Sequence, residues 1–364
     1  MTQLLTALTV FAGCFSLVAL FRLSRKAPPA AIRRRRFARV LLLRPVDAPG
    51  PLELENLNAP IDYPGELTHV VLSPFRPRLT SANTRWLASD PLSSNRKVGH
   101  LAYGLSVLQR TAETVVISVD ADVRVDGALL SALVDGIRDG AAVVSAAPQP
   151  AVGQSLATRI VRGLLTQSHH SFQALDVMSL GPKAICGKVL ALSAPAATEL
   201  VKLHDCIGED LELSTVMFNA GKTVTLAEVT AQVPQSPTLS MREVSQRFTR
   251  WMQVLRAHRP ALFPSVPLLF APTPVLMVLA AALGSLQLAL ALTFLVGARI
   301  ALANQLDRRP GLRFEWLLAE MMLLWCWVNA LWAGRSVTWR GRTFNLEQNG
   351  RMRVVTPNIS ESAS

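Results

Sequence analysis

TVVISVDADVRVDG, residues 114–127, is the stretch on which the reading of the whole chain turns. Val115, Val116, Ile117 and Val119 form an apolar, β-branched run with no charge on either face, the pattern of a strand buried in a parallel sheet. Asp120 and Asp122 then leave its C-terminal end, where open α/β sheets bind ligands. On an extended backbone, residues two apart point to the same side, so the two carboxylates are expected to converge. Such a pair can share a hard divalent cation with phosphate oxygens, which gives two charges beside a hydrophobic strand a reason to be there.

Working outward, residues 39–43 (RVLLL) read as a first strand ended by Arg44-Pro45, and residues 68–72 (THVVL) as a second ended by Ser73-Pro74. Between them lie a short helix, 52–57, and the turn Asp62-Tyr63-Pro64-Gly65. Val98, Leu101, Leu105 and Leu108 recur at helical spacing within 95–109, the helix leading into the 114–119 strand. Beyond it follow a helix at 129–137, a strand at 141–147 and a helical segment at 156–172 that contains His169 and His170. A strand at 184–192 holds Gly187 inside it, a mark of close backbone approach. A helix at 209–219, a strand at 223–229 and a basic helix at 241–258 complete the series. This alternation predicts an α/β domain built on a mostly parallel, nucleotide-binding sheet.

The chain carries a net charge of +12 although only 17% of its 364 residues are charged, so the basic excess is concentrated. Its mean hydropathy is +0.30, high for a soluble enzyme. Together these point to an anionic membrane surface and phosphorylated substrates, and no nucleic-acid-binding module is visible. Cys14, Cys186, Cys206 and Cys326 have no paired spacing, so neither a disulfide framework nor a zinc site is expected. The uncharged run 4–21 is long enough to cross a bilayer and is followed by Arg22, Arg25, Lys26 and the arginines 33–36, a cytoplasmic flank by the positive-inside rule. A cleaved signal peptide is disfavoured because MTQLL carries no positive charge. Residues 275–297 and the tryptophan-rich 314–333 read as two further spans, the second holding Glu315 and Glu320, and the proline-broken 261–271 reads as interfacial. A loop carrying Arg299, Arg308, Arg309 and Arg313 between those spans runs against the positive-inside rule, a conflict that a re-entrant hairpin removes. The resulting division is an anchor at 1–26, a cytoplasmic domain at 37–260, an interfacial segment with two spans at 261–334 and a basic tail at 335–364.

Taken singly, the polar motifs have two readings each. Glu209-Asp210 opens a helix, which complements the helix dipole; alternatively Asp210 is a general base for a hydroxyl. Arg247, Arg250 and Trp251 share one side of a helix, suited to a diphosphate and a sugar ring; the stripe Val244, Phe248, Met252 and Leu255 equally suits a helix lying on anionic lipid. His169 and His170 lack metal-ligand spacing and read as structural or acceptor-contacting. No P-loop, G-x-S-x-G or Rossmann fingerprint is present.

In this order, Asp120-Ala121-Asp122, Glu209-Asp210 and Arg247-Phe248-Thr249-Arg250-Trp251 resemble the motifs of inverting membrane glycosyltransferases with a GT-A fold. More closely, the chain is similar to the ceramide glucosyltransferase family (glycosyltransferase family 21) and its bacterial relatives that glycosylate hopanoids. Leu42-Leu43-Arg44-Pro45, Tyr63-Pro64, Asn95-Arg96-Lys97-Val98 and Val337-Thr338-Trp339-Arg340-Gly341-Arg342 extend the resemblance over most of the chain. It implies a GT-A-like domain with transmembrane and interfacial helices, multi-pass in the inner (plasma) membrane with its catalytic domain cytoplasmic. It also implies a UDP-sugar donor, glucose or a related hexose, and a membrane lipid acceptor such as ceramide or a hopanoid. Asp120 and Asp122 would hold Mg2+ or Mn2+, and Asp210, with Glu209 beside it, would act as catalytic base. Arg247, Arg250, Trp251, Asn95 and Lys97 would contact the donor and its diphosphate. The family places an acid near the second strand to hold the nucleotide base, but here that strand ends in Ser73-Pro74-Phe75-Arg76. Asp90 by order, and Asp47 in the first strand's turn, are the available substitutes. Two rival expectations follow: a processive polysaccharide synthase, disfavoured by Arg247 and the few spans, and a degenerate membrane nucleotide- or lipid-binding protein, motivated by the missing acid.

Overall fold

The computed structural model describes residues 1–25, 39–111, 113–150, 153–307, 314–339 and 341–355. Lys26, the arginines at 33–36, Arg308, Arg309, Arg313 and Arg340 lie outside the described residues, so the basic flank and most of the charge expected between the spans do too.

An N-terminal helix α1 (Thr2–Arg25) precedes the α/β domain. That domain begins β1 (Arg39–Pro45), α2 (Pro51–Asn58), β2 (Leu67–Ser73), β3 (Thr84–Ala88), α3 (Arg96–Val107), β4 (Thr114–Val119) and α4 (Gly127–Arg138). It continues with β5 (Val143–Ser145), β6 (Pro148–Pro150), α5 (Leu156–His169), a π-helical turn (His170–Leu175), α6 (Asp176–Met178), β7 (Val189–Leu192) and α7 (Ala194–Val201). It closes with α8 (Glu209–Asn219), β8 (Val224–Leu226), β9 (Ala231–Val233) and α9 (Met241–His258). Three apolar helices follow, α10 (Thr273–Leu283), α11 (Leu286–Asp307) and α12 (Glu315–Trp332), then a small antiparallel sheet of β10 (Ser336–Trp339), β11 (Arg342–Leu346) and β12 (Met352–Val354).

Among the described residues the central sheet runs in the order β3-β2-β1-β4-β7-β5-β8. It is parallel except for β7, which is antiparallel to both β4 and β5. Alternate residues of the central strands feed two separate cores. Val40, Leu42, Val115 and Ile117 face one helical layer, whereas Leu41, Leu43, Val70, Val116 and Leu190 face the other. A sheet covered on both faces needs strands without a polar side, which is why the 115–119 run is continuous. The α/β class with a mostly parallel sheet is therefore as the sequence pattern predicts. Details differ. The strand expected at 184–192 is only Val189–Leu192, because residues 184–188 peel away from the sheet to line the site described below. Edge strand β3 and the β10–β12 sheet are short and half exposed, and periodicity does not reveal them.

The apolar helices also differ from the expected spans. The run 275–297 is not one helix: Gly284 adopts φ +56, a left-handed stop, and separates α10 from α11. Among the described residues, α1 and α11 are the two helices long and apolar enough to cross a membrane. They lie side by side, and a Cβ at Gly13 would come within 2.5 Å of the Phe294 ring. The other expected span, α12, docks along α5 and α9, and Gly163 permits this, since a Cβ there would meet the Glu315 carbonyl at 2.4 Å. The apolar stripe of α9 is thus covered by protein rather than laid on lipid. Glu320 is fully buried, pairs with Arg299 at 3.1 Å and accepts from the Thr273 amide at 2.9 Å. Arg299 therefore sits within α11, not in a loop between spans, and its charge is matched inside the protein.

The first residue of α4, Gly127, lies where a Cβ would fall 1.7 Å from the Asp62 carbonyl oxygen, in the turn read from Asp62-Tyr63-Pro64-Gly65. Gly127→Ala is expected to destabilise the domain by about 1–3 kcal/mol, the usual effect of overpacking a close contact. A lowered unfolding midpoint in detergent would show it; an unchanged midpoint would contradict the contact.

Candidate active site

The carbonyl groups that follow β4 need donors, because the strand ends in the protein interior. Arg44, at the end of β1, is fully buried and donates from Nη2 to the carbonyls of Asp120 (3.1 Å), Ala121 (3.3 Å) and Val123 (2.8 Å). Asn56 donates to the Ala121 carbonyl at 3.2 Å. Burial lowers the Arg44 pKa to about 10 against the opposing pull of Asp120 and Asp122. Held this way, residues 120–123 form a tight turn, with the Val123 amide donating to the Asp120 carbonyl at 3.1 Å. The extended backbone on which convergence of Asp120 and Asp122 is predicted does not occur; the turn sends each carboxylate to its own lysine.

Lys97, in the first turn of α3, places Nζ 2.9 Å from Asp120 Oδ1 and 3.0 Å from Glu209 Oε1, and donates to the Gly187 carbonyl. Burial by itself would lower its pKa, but the charges of Asp120 and Glu209 outweigh that and raise it. Lys188, just before β7, pairs with Asp122. The reversed sense of β7 is what brings its first residues to the same sheet edge as the last residues of β4, and Asp120 N donates to the Lys188 carbonyl at 2.9 Å. Burial would raise the Asp122 pKa, yet Lys188 and, further off, Arg247 bring it below the usual range. Asp122 Oδ1 remains buried without a hydrogen-bond partner. An orphaned anionic oxygen of this kind fits a cation. Among the described residues no group of three or more His, Cys, Asp or Glu side chains could hold a metal. A cation here would therefore take Asp120 and Asp122 and complete its shell from the oxygens of a bound ligand.

Glu209 and Asp210 open α8 behind a turn in which Gly208 adopts φ +74. Asn95 donates to Glu209 Oε2 at 3.0 Å and to the Cys206 carbonyl at 2.8 Å, and its oxygen caps α3 through the Val98 amide at 3.2 Å. Its polar atoms are thus engaged within the protein, where Asn95 positions Glu209. Burial would raise the Glu209 pKa, but Lys97 lowers it. Asp210 is different. Its Oδ2 accepts from the Gly187 amide at 2.7 Å and its Oδ1 from the Leu211 amide at 2.9 Å. Burial, and then the Glu209 charge, push its pKa up to about 6. A Cβ at Gly187 would lie 3.0 Å from Asp210 Oδ2, the close backbone approach anticipated for that glycine. Two adjacent carboxylates with pKa values pushed apart are what divided acid–base roles require. Asp210, ionised near neutrality yet basic, is suited to take a proton from a hydroxyl.

Arg247 on α9 lies within electrostatic reach of Asp122 and Lys188, so α9 faces this acid cluster. Arg250 is half-buried one turn further along α9. Trp251 packs on Phe248 with ring centroids 4.7 Å apart and joins the core. Asp90, exposed just after β3, and Asp47, after β1, meet on Arg96 at 2.6 and 2.7 Å, and His100 lies 3.0 Å from Asp47. At the end of β2, Ser73 donates to the Phe75 carbonyl at 2.8 Å and accepts from Trp86 Nε1 at 3.1 Å. His170 takes the structural reading: it stacks on Phe15 and lies 3.1 Å from Ser16 Oγ, tying the π-helical turn to α1. The roles of Arg44 and Lys188 are not visible in the sequence pattern. A lone cation at the edge of an otherwise apolar strand is the signal both share.

Residues 83–352 match the family described as Glycosyl transferase family 21. No curated protein matches the chain. Among solved structures, the mannosyltransferase PcManGT from Pyrobaculum calidifontis, in complex with GDP-Man and Mn2+, is 18% identical over 92% of this chain and 99% of that chain, with a TM-score of 0.48. A mycobacterial protein is 16% identical over 60% of this chain and 74% of that chain, with a TM-score of 0.34.

Replacing Lys97 removes the one ammonium between Asp120 and Glu209. Lys97→Met is expected to destabilise the protein by about 3–5 kcal/mol, because it leaves buried carboxylates uncompensated. Denaturant unfolding of the two proteins measures this, and equal stability would mean that the bridge is not formed in solution.

Proposed function

The chain belongs to glycosyl transferase family 21, and we propose that it moves a hexose, glucose or a close relative, from a UDP-sugar to the hydroxyl of a membrane lipid such as ceramide or a hopanoid, inverting the anomeric carbon. Membership makes it a nucleotide-sugar glycosyltransferase. The observation that carries the finer reading is Asp210, a half-buried carboxylate with a pKa near 6 held by two backbone amides beside a cluster of lysine-paired acids.

In this mechanism Asp210 takes the proton of the acceptor hydroxyl as that oxygen attacks the anomeric carbon, and the bond to the nucleoside diphosphate breaks in the same displacement. Glu209 is held ionised by Lys97, and its charge keeps Asp210 basic. Arg247 and Arg250 stabilise the departing diphosphate as negative charge develops on it. Asp120 and Asp122, with the orphaned Oδ1 of Asp122, are the residues that would hold Mg2+ or Mn2+ together with the diphosphate. Such an ion supplies Lewis-acid stabilisation of the leaving group when bound. The pair Asp47 and Asp90, oriented by Arg96, is the acid set available for the nucleotide base at this edge of the sheet.

The apolar outer surfaces supply the rest of the reading. Met277, Val278, Leu286, Leu290, Trp325 and Trp332 are exposed on α10, α11 and α12, a face suited to acyl chains. With α1 and α11 crossing the inner membrane and residues 37–260 on its cytoplasmic side, a lipid offers its head group to Asp210 without leaving the bilayer.

The full chain in detergent, given a panel of UDP- and GDP-sugars with ceramide, a hopanoid or diacylglycerol, is expected to form a lipid-linked monosaccharide detectable by mass spectrometry. A water-soluble polymer, or no glycolipid from any pair, overturns the proposal. Asp210→Asn should lower turnover by about 10²–10⁴-fold while donor binding persists; a variant that stays active removes the assignment of the base. The pH dependence has a definite sign. The base must be ionised, so log(kcat/KM), which follows the base of the free enzyme, should rise with unit slope up to about pH 6 and then level. The raised pKa also means that folding favours the protonated form, so the stability Asp210 contributes is largest below about pH 4 and disappears as pH rises through about 6.

A further inference from the structure

We infer that His258, at the C-terminal end of α9, is a positioning residue for the Asp210 carboxylate, acting together with the β10–β12 sheet; this rests on Asp210 being the base. The segment 205–208 that sets the start of α8 has no regular structure, and the left-handed Gly208 gives it no rigidity of its own. Its shape is imposed from three sides. From α3, the Asn95 amide donates to the His204 carbonyl at 2.8 Å, and the Asn95 side chain holds the Cys206 carbonyl. From the C-terminal sheet, the Ile207 amide donates to the Gly350 carbonyl at 2.9 Å, and the Met352 amide donates to the Asp205 carbonyl at 2.8 Å. Cys206 Sγ also donates to the Asn349 carbonyl at 3.1 Å.

His258 joins these pieces. It is nearly buried, and its Nε2 donates to the Ile207 carbonyl at 2.5 Å, while its Nδ1 lies 3.7 Å from Glu212 in the first turn of α8. The imidazole has its place because residue 350 is glycine. A Cβ at Gly350 would fall 1.9 Å from His258 Nε2 and 2.6 Å from the Ile207 carbonyl, and φ +70 also favours glycine there. Around this contact Ile207 packs with Val337, Phe344, Leu346 and Met352 in a small core of its own, separate from the two cores of the central sheet. None of these groups directly contacts Asp120, Asp122 or Lys97, so the C-terminal sheet bears first on the start of α8 and on the donor-side carboxylates only through Glu209 and Lys97. His258 touches neither reacting group. What it fixes is the origin of the helix whose second residue is Asp210, and a shift of about 1 Å there is enough to lower a rate by about 10²-fold.

The test uses the full chain in detergent with UDP-glucose and ceramide micelles, or the most active pair from the panel above. His258→Ala and Gly350→Ala should each lower kcat by about 10–100-fold while the donor Kd changes less than about twofold. His258→Gln, whose amide can still donate to the Ile207 carbonyl, should recover most of kcat. Wild-type kcat in His258→Ala overturns the inference. So does a variant that loses donor binding and kcat together with no rescue by Gln, the behaviour of a purely structural support. Asp210→Asn separates the two levels: if it stays active, the base assignment falls first; if it is inactive and His258→Ala is unimpaired, only the positioning role falls.

Discussion

The ammonium of Lys97 is the interaction on which the site depends. It joins α3 to the end of β4 through Asp120, to the segment before β7 through the Gly187 carbonyl, and to α8 through Glu209. At ~3 Å and an effective dielectric near 20, each ion pair is worth roughly 5 kcal/mol of attraction, against a desolvation penalty of similar size. The bridge therefore adds little net stability, yet it fixes which segments meet. Arg44 holds the turn, Lys97 and Lys188 hold three carboxylates, and Asp210 is held by backbone amides. A carboxylate bound by neutral donors next to a charged neighbour keeps its basicity.

What could be read from the sequence was what is local. The two-sided apolar run before Asp120 specifies a central strand because both its faces meet helices. The helix after Gly208 and the helix from 241 follow from spacing alone. The lysine bridges join residues 23, 66 and 112 positions apart, and no periodicity reports such pairings. Lys188 and Arg44 each stand alone beside an apolar strand, a signal that marks a cation but not the groups it meets. The turn at 120–123 is legible only once Arg44 is known to satisfy its carbonyls, which is why an extended backbone was the natural expectation. Length and composition alone suggest one long span at 275–297; a single left-handed glycine divides it.

The apolar helices are not a separate appendage. α12 covers α5 and α9, so the helix bearing Arg247 is held between the central core and an apolar neighbour. The buried Arg299–Glu320 pair, with Arg299 also donating to Gln167 and to the Leu269 carbonyl, gives these helices a single register, a specificity that apolar contacts alone lack. At the end of α1, Arg22 pairs with Asp176 at 3.0 Å, and Asp176 pairs with Lys183 at 3.2 Å, close to the segment that turns into Gly187 and Lys188. The N-terminal helix is thus tied by charge to the stretch of chain that runs on to Gly187 and Lys188.

The C-terminal sheet also sets an order in time. The turn before Glu209 takes its hydrogen bonds from Gly350 and Met352, which leave the ribosome roughly 140 residues later, about ten seconds at ordinary synthesis rates. The central sheet and the helix carrying Arg247 can assemble before then, but the segment ahead of Glu209 and Asp210 cannot make these hydrogen bonds until β12 is made. The start of α8 is therefore the part of the α/β domain whose final hydrogen bonds form latest.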